Sequence, residues 1–212
     1  MIYEVRTYDL KPRSLAEVEK RFGEAHEKCK ALSPLAPFWH GEIGPLNQII
    51  QVWTYQDVNE RTRIRAEASK AGIWPPKIAE FITRMRSEIF LPFPSSPELK
   101  PAKMGPFYEI RTYTFPAGEL PRIQKCWEAA LPERLKLSPV CAIWYAELGA
   151  LNTFVHIWPY ASLDQRADTR KKALATGLWP PSVVDTKAGG KGYELCTQEN
   201  KIVMPAAFSP LQ

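Results

Sequence analysis

Residues able to do acid/base and anion chemistry recur in this sequence as matched sets. Glu4, Arg6 and Tyr8 alternate at steps of two, and Glu109, Arg111 and Tyr113 do the same farther along. A carboxylate beside a guanidinium, sheltered from water, has the displaced pKa that proton transfer uses. His156 stands two residues before Trp158, where the earlier set has Gln51 before Trp53. An imidazole titrates near neutral pH and an amide does not. The catalytic set expected is therefore His156, Glu109 and Arg111, with Tyr145 and Glu147 beside it. His40 and Glu42 occupy the positions that match Tyr145 and Glu147. Arg61 and Arg65, and again Arg166 and Arg170, are spaced i and i+4. That spacing puts two guanidinium groups on one side of a helix, where they can grip a carboxylate or phosphate. The wider ligand-binding set is Glu4, Arg6, Tyr8, His40, Glu42, Trp53, Arg61 and Arg65, with Tyr145, Glu147, Trp158, Arg166 and Arg170.

Each of these has a plainer alternative. Glu4 and Arg6 can simply satisfy one another, because buried charges must be paired. The arginine pairs can clamp a nearby acid or loop carbonyls. His40 and His156 are not equivalent positions, so each can be a satisfied interface histidine. Trp39 and Trp144 read as core, and Trp74-Pro75-Pro76 as a rigid turn with a packed ring. The sequence has no Gly-rich phosphate loop, no Gly-x-Ser-x-Gly elbow and no His-Glu-x-x-His. Its histidines, His26, His40 and His156, are far apart, so neither a metal site nor a cofactor is expected. A haem would need an axial ligand, for which only His40 and His156 qualify.

The matched sets arise because the chain is a tandem duplication. Tyr3-Glu4-Val5-Arg6-Thr7-Tyr8 returns as Tyr108-Glu109-Ile110-Arg111-Thr112-Tyr113. One constant offset, without a gap, carries Ser33-Pro34 onto Ser138-Pro139, Trp39 onto Trp144 and Asn47 onto Asn152. It also carries Gly72-Ile73-Trp74-Pro75-Pro76 onto Gly177-Leu178-Trp179-Pro180-Pro181. The second copy then carries an insertion around Ala188-Gly189-Gly190-Lys191-Gly192, and the copies rejoin at Ile89-Phe90-Leu91-Pro92 and Ile202-Val203-Met204-Pro205. The expected organisation is a first unit over 1–97, a proline-rich linker over 98–106 and a second unit over 107–212.

Within a copy the order of elements is legible. Residues 2–10 are aromatic and β-branched, as a strand should be. Over 14–32, Leu15, Val18, Phe22, Ala25, Cys29 and Leu32 recur at steps of three and four, a helical stripe that Ser33-Pro34 ends. Leu120, Ile123, Trp127, Ala130 and Leu137 repeat it. Strands near 37–43 and 48–55 flank a tight turn at Gly44-Pro45-Leu46-Asn47. A helix over 57–71 stops at Gly72, and a strand lies near 82–91. The order β-α-β-β-α-β is the ferredoxin-like motif, and it occurs twice.

Helices cover one sheet face of such a unit and leave the other bare. Two copies in one chain solve this by packing sheet to sheet. Alternation along each strand then sorts the side chains. The plain apolar face of Ile50 and Val52, with Val155 and Ile157, is expected against the helices. Gln51, Trp53 and Tyr55 with their copies, and the Glu4 and Glu109 sets, are expected to line a polar pocket between the sheets.

The Tyr-Glu-[Val/Ile]-Arg-Thr-Tyr strand and the Arg-x-x-x-Arg pair with its following Trp are similar to the NIPSNAP family. So is the end from Met204-Pro205 to Phe208-Ser209-Pro210-Leu211. The resemblance covers nearly the whole chain, once per copy. It implies an α+β fold of the dimeric α/β-barrel superfamily, with both halves of the barrel in one chain. That superfamily includes cofactor-independent monooxygenases and haem-degrading enzymes, an analogy of fold and not of site.

Composition narrows the rest. The net charge of +5 comes from basic residues interleaved with acids, so no nucleic-acid footprint is present. No apolar run reaches the roughly 18 residues of a membrane span. Cys29, Cys126, Cys141 and Cys196 are scattered, as in a reduced cytoplasmic protein without disulfides or zinc. The reading reached is an intramolecular pseudo-dimer, with room for further homo-oligomerisation. It binds a small, partly anionic or aromatic ligand, with side-chain acid/base chemistry as an extension. The alternative is a non-enzymatic interaction module whose polar interior is structural.

Overall fold

Each copy begins with β1 (Ile2–Leu10) or β5 (Phe107–Thr114), whose β-branched and aromatic residues suit a pleated, buried strand. The computed structural model describes residues 1–29, 35–72 and 74–212. The first copy continues with α1 (Leu15–Cys29), β2 (Leu35–Ile43), β3 (Gln48–Tyr55), α2 (Val58–Lys70) and β4 (Ile82–Pro92). The second continues with α3 (Leu120–Leu135), β6 (Ala142–Leu148), β7 (Thr153–Tyr160), α4 (Leu163–Ala175), an additional α5 (Pro181–Lys187) and β8 (Thr197–Pro205). The stop expected at Ser33-Pro34 lies outside the described residues. Its copy follows the end of α3 by three residues.

Local chemistry places the second helix of each copy identically. The Asp57 carboxylate accepts from the Glu60 amide at 2.9 Å, and Glu60 reaches back to accept from the Gln56 amide. Ser162 and Gln165 form the same reciprocal cap on α4. Arg61 and Arg166 therefore project at the same height from the two helices. At the hairpin turns Gly44 and Gly149 have φ of 114° and 116°. A Cβ on Gly149 would also lie 2.9 Å from the Glu88 side chain, so glycine is required there twice over.

The eight strands close into one antiparallel barrel in the order β1-β3-β2-β8-β5-β7-β6-β4. The last strand of each copy pairs with its own first strand and with the other copy's second strand. Trp39 opposite Pro205 and Trp144 opposite Pro92 are the matching closures. Joining the sheets at both edges leaves each copy's outermost strand paired. The tails after β4 and β8 also cross over. Ser96 Oγ accepts from the Ile143 amide and Ser209 Oγ from the Phe38 amide, both at 3.0 Å. Each half is thereby latched by the other. Among the described residues no helix is long and apolar enough to cross a membrane.

The core has three parts, and their membership corrects the expected facing of the strands. Tyr3, Trp39, Ile50 and Val52 pack with Tyr108, Trp144, Val155 and Ile157 from the other half, inside the barrel. Tyr8, Trp53 and Tyr55 instead pack under the helices with Phe22 and Ile64, and Tyr113, Trp158 and Tyr160 pack with Trp127. Glu4, Arg6, Gln51, Glu109, Arg111 and His156 share that helix-side face. The alternation is the expected one and its phase is inverted. An eight-stranded barrel is just wide enough to be filled by side chains or to hold one small ligand, and aliphatic residues line it without orphaned charge. The polar set lies outward because its partners are carried by α2 and α4.

Candidate functional site

At the centre of each helix-side layer is a carboxylate with no solvent exposure. Glu4 Oε1 accepts from Arg61 at 2.6 Å, from Ser87 Oγ at 2.6 Å and from Arg6 at 2.7 Å, with Arg65 at 3.8 Å from Oε2. Glu109 repeats this with Arg166 at 2.5 Å, Arg111 at 2.7 Å and Arg170 at 3.9 Å, and Asn200 replaces Ser87. Burial alone would raise the Glu4 carboxyl. The hydrogen bonds from Arg61 and Ser87 and the charge of Arg6 outweigh it and hold the group at about 2. Glu109 is lowered in the same way by Arg166 and Arg111. Arg6 and Arg111 in turn donate to Tyr8 and Tyr113. Both acids are thus permanently ionised and their arginines are engaged.

The second half adds a cavity of about 380 Å³ between the sheet and its helices. Trp127, Trp158, Trp179 and Tyr193 supply aromatic walls, and Arg111, Arg134, Arg170 and His156 supply nitrogen. The Trp158 indole donates to His156 Nδ1 at 2.6 Å. An indole nitrogen can only donate, so Nδ1 is the acceptor and the imidazole proton sits on Nε2. That Nε2 is buried and has no hydrogen-bond partner among the described residues. Burial, followed by the charges of Arg111, Arg170 and Arg134, holds the imidazole well below its ordinary 6.5. His156 is a neutral N–H donor near neutral pH, with its one lone pair engaged. This does not match the expectation of a group titrating near neutrality.

Arg134 is the decisive residue, and sequence reasoning passed over it. It is 4% exposed and donates to Ser138 Oγ at 2.7 Å and Tyr160 OH at 3.3 Å. Its guanidinium lies 4.1 Å from the Trp158 ring centroid. Among the described residues no carboxylate is within ion-pair distance of it. A buried cation without a counter-ion is costly, and this one borders the cavity. The signal was present: the apolar stripe of the first copy has Cys29 where the second has Arg134. α5 and Tyr193 flank the inserted Ala188-Gly189-Gly190-Lys191-Gly192 stretch, where the two copies diverge.

The other expected residues divide cleanly. Arg61, Arg65, Arg166 and Arg170 converge on Glu4 and Glu109. His40 Nδ1 lies 2.7 Å from Glu19 on α1 and outside the cavity. The Glu19 hydrogen bond raises its pKa. Glu42 and Glu147 are exposed at strand ends, and Tyr145 is half-buried beside Phe93. Of the expected catalytic set, Glu109, Arg111 and His156 do border one cavity. It lies under the helices and not between the sheets. Among the described residues no three His, Cys, Asp or Glu side chains cluster as a metal ion would need.

Comparison with known proteins bears on both halves. The profile of the family described as NIPSNAP matches residues 3–97 and again 108–210. Protein NipSnap homolog of Dictyostelium discoideum is 28% identical over 208 residues, covering 96% of this chain and 87% of its own. Protein NipSnap homolog 3A of Homo sapiens is 29% identical over 220 residues, covering 100% of this chain and 86% of its own. Among solved structures, a monooxygenase candidate of Lactobacillus acidophilus NCFM has a TM-score of 0.68 at 10% identity. It covers 97% of this chain and 94% of its own, a likeness of fold alone.

Proposed function

The chain belongs to the NIPSNAP family, twice over, and on that footing we propose that its second half binds a small aromatic anion in the cavity under α3, α4 and α5. The observation that carries this reading is Arg134, a buried guanidinium stacked on Trp158 with no carboxylate in reach among the described residues. A ligand carboxylate or phenolate supplies the missing counter-ion. The His156 Nε2–H supplies a second, neutral donor, and the indole rings offer faces and edges to an aromatic body. The tautomer of His156 supports binding rather than proton transfer, since a general base needs a free lone pair.

Fluorescence titration of the tryptophans with benzoate and indole-3-acetate, against benzyl alcohol as the neutral control, tests the reading. Binding of the acids, weakened by about tenfold or more in Arg134→Met, is the expected result. Equal binding of acids and alcohol, or equal binding to wild type and Arg134→Met, would sink it.

A further inference from the structure

A second cavity, of about 240 Å³, lies inside the barrel, on the opposite side of the sheet from the first. Part of its wall is aliphatic, with Val5, Ile50 and Val52 from one half and Ile110, Val155 and Ile157 from the other, and threonines and charged side chains, Arg86 and Glu199 among them, line the rest. Trp39 and Trp144, both fully buried, stand behind that wall. Its mouth is formed where Pro45 and Ala150 of the two hairpin turns approach Glu88 of β4 and Lys201 of β8.

Glu88 and Lys201 occupy matching positions in the two copies, because Ile89 aligns with Ile202. Both are held close to the turns. A Cβ on Gly149 would meet the Glu88 side chain, and one on Gly44 would lie 3.1 Å from Lys201 Cβ. Lys201 breaks the symmetry of the mouth. Its Nζ donates to Gln48 Oε1 at 2.6 Å, and the Gln48 amide donates onward to Asp9 Oδ1 at 2.6 Å. Among the described residues no carboxylate is within ion-pair distance of this ammonium. Burial, helped by Arg86 of β4, lowers it to about 8, against the weaker opposing charges of Asp9, Glu88 and Glu199. A half-buried ammonium with no carboxylate in reach among the described residues, at the neck of a partly aliphatic chamber, is a docking point for an anionic head group.

We propose that the barrel interior is a second ligand site, which takes a slender aliphatic carboxylate with its chain among the valines and isoleucines and its head on Lys201 Nζ. At the ~30 Å³ that a water occupies in the liquid, the chamber holds about eight heavy atoms. A medium-chain acid such as octanoate fits, its carboxylate remaining at the mouth. This site is independent of the aromatic-anion pocket, which lies across the strands under the helices.

Calorimetric titration of the full chain with octanoate, at pH 7 and pH 9 in buffers of different ionisation heat, tests the assignment. Wild type is expected to bind one octanoate per chain. At pH 9 it takes up a proton on binding, because the carboxylate stabilises the ammonium. Lys201→Met should weaken octanoate by about tenfold or more while leaving octan-1-ol within about twofold. Arg134→Met should leave octanoate unchanged, which separates this site from the helix-side pocket. Should Lys201→Met fold poorly, Lys201→Arg keeps the charge. It should retain octanoate but lose the proton uptake, since a guanidinium stays charged at pH 9. Absence of octanoate binding to wild type, equal affinity in Lys201→Met, loss of binding in Arg134→Met, or proton uptake persisting in Lys201→Arg would each overturn the proposal.

Discussion

The two halves share a sheet, a latch and a buried acid, and they differ in what fills the space beneath their helices. In the first half Ile64 and Ile78 are buried there with Phe22, whose ring lies 4.9 Å from Phe38 and 5.4 Å from Trp74. In the second half Thr169 stands at the position of Ile64, Arg134 at that of Cys29, and α5 with Tyr193 follows Trp179-Pro180-Pro181. Gln51 and His156 nevertheless do one job in common: each accepts a hydrogen bond from the following indole, at 3.1 Å and 2.6 Å. Exchanging an amide for an imidazole therefore preserves a structural bond, and the cationic cavity depends on the other changes. Once two copies are latched into one barrel, one can keep an aliphatic plug while the other opens.

The strongest way to break the comparison is through what the halves share. Glu4→Gln and Glu109→Gln each leave a set of arginines around a neutral amide. Each should cost about 3 to 5 kcal/mol in urea denaturation, as loss of one partner of a buried ion pair does. A large loss in one half and none in the other would show that the networks are not equivalent.

A smaller effect follows from His156. Its folded-state pKa is depressed below 6.5, so the unfolded chain binds more protons as pH falls. Stability is then unaffected above 6.5 and is lost below it, by about 1.4 kcal/mol per pH unit while the folded imidazole stays neutral. His156→Gln, which copies the first half, should flatten stability between pH 6.5 and 5. An unchanged pH profile would mean that the imidazole is protonated in the fold.

Arg134→Met sharpens the contrast further, since it removes a cation that no carboxylate among the described residues pairs with and leaves an apolar side chain of similar reach. Its stability should stay within about 1 kcal/mol of wild type while binding of aromatic acids falls. A severe loss of stability would recast Arg134 as a structural clamp. Arg65→Lys and Arg170→Lys should matter least. Their contacts at 3.8 Å and 3.9 Å are long and partly exposed, and a change under about 1 kcal/mol is expected in thermal unfolding.

Much of the fold was legible because periodicity and repetition are local properties. The strand over 2–10 and the hairpin around Gly44-Pro45-Leu46-Asn47 are where their residue types place them. The clustering of Glu109, Arg111 and His156 was legible too, since alternation puts them on one face. Which side of the sheet that face occupies was not, because alternation is symmetric between the two sides. Arg134 was missed because a charged residue on an apolar stripe reads as an interruption of it.

Read alone, the sequence determines that two copies of one β-α-β-β-α-β unit must cover each other's sheets. A duplicated unit with one bare sheet face has no other partner in the chain. Tertiary structure decided the rest. Registry between β2 and β8, and between β4 and β6, closed the sheets into a barrel whose aliphatic face turned inward. The arginines of α2 and α4 drew Glu4 and Glu109 outward to meet them. Packing under the helices then decided which half keeps an aliphatic plug and which encloses a cavity, a matter of side-chain volume across elements distant in sequence.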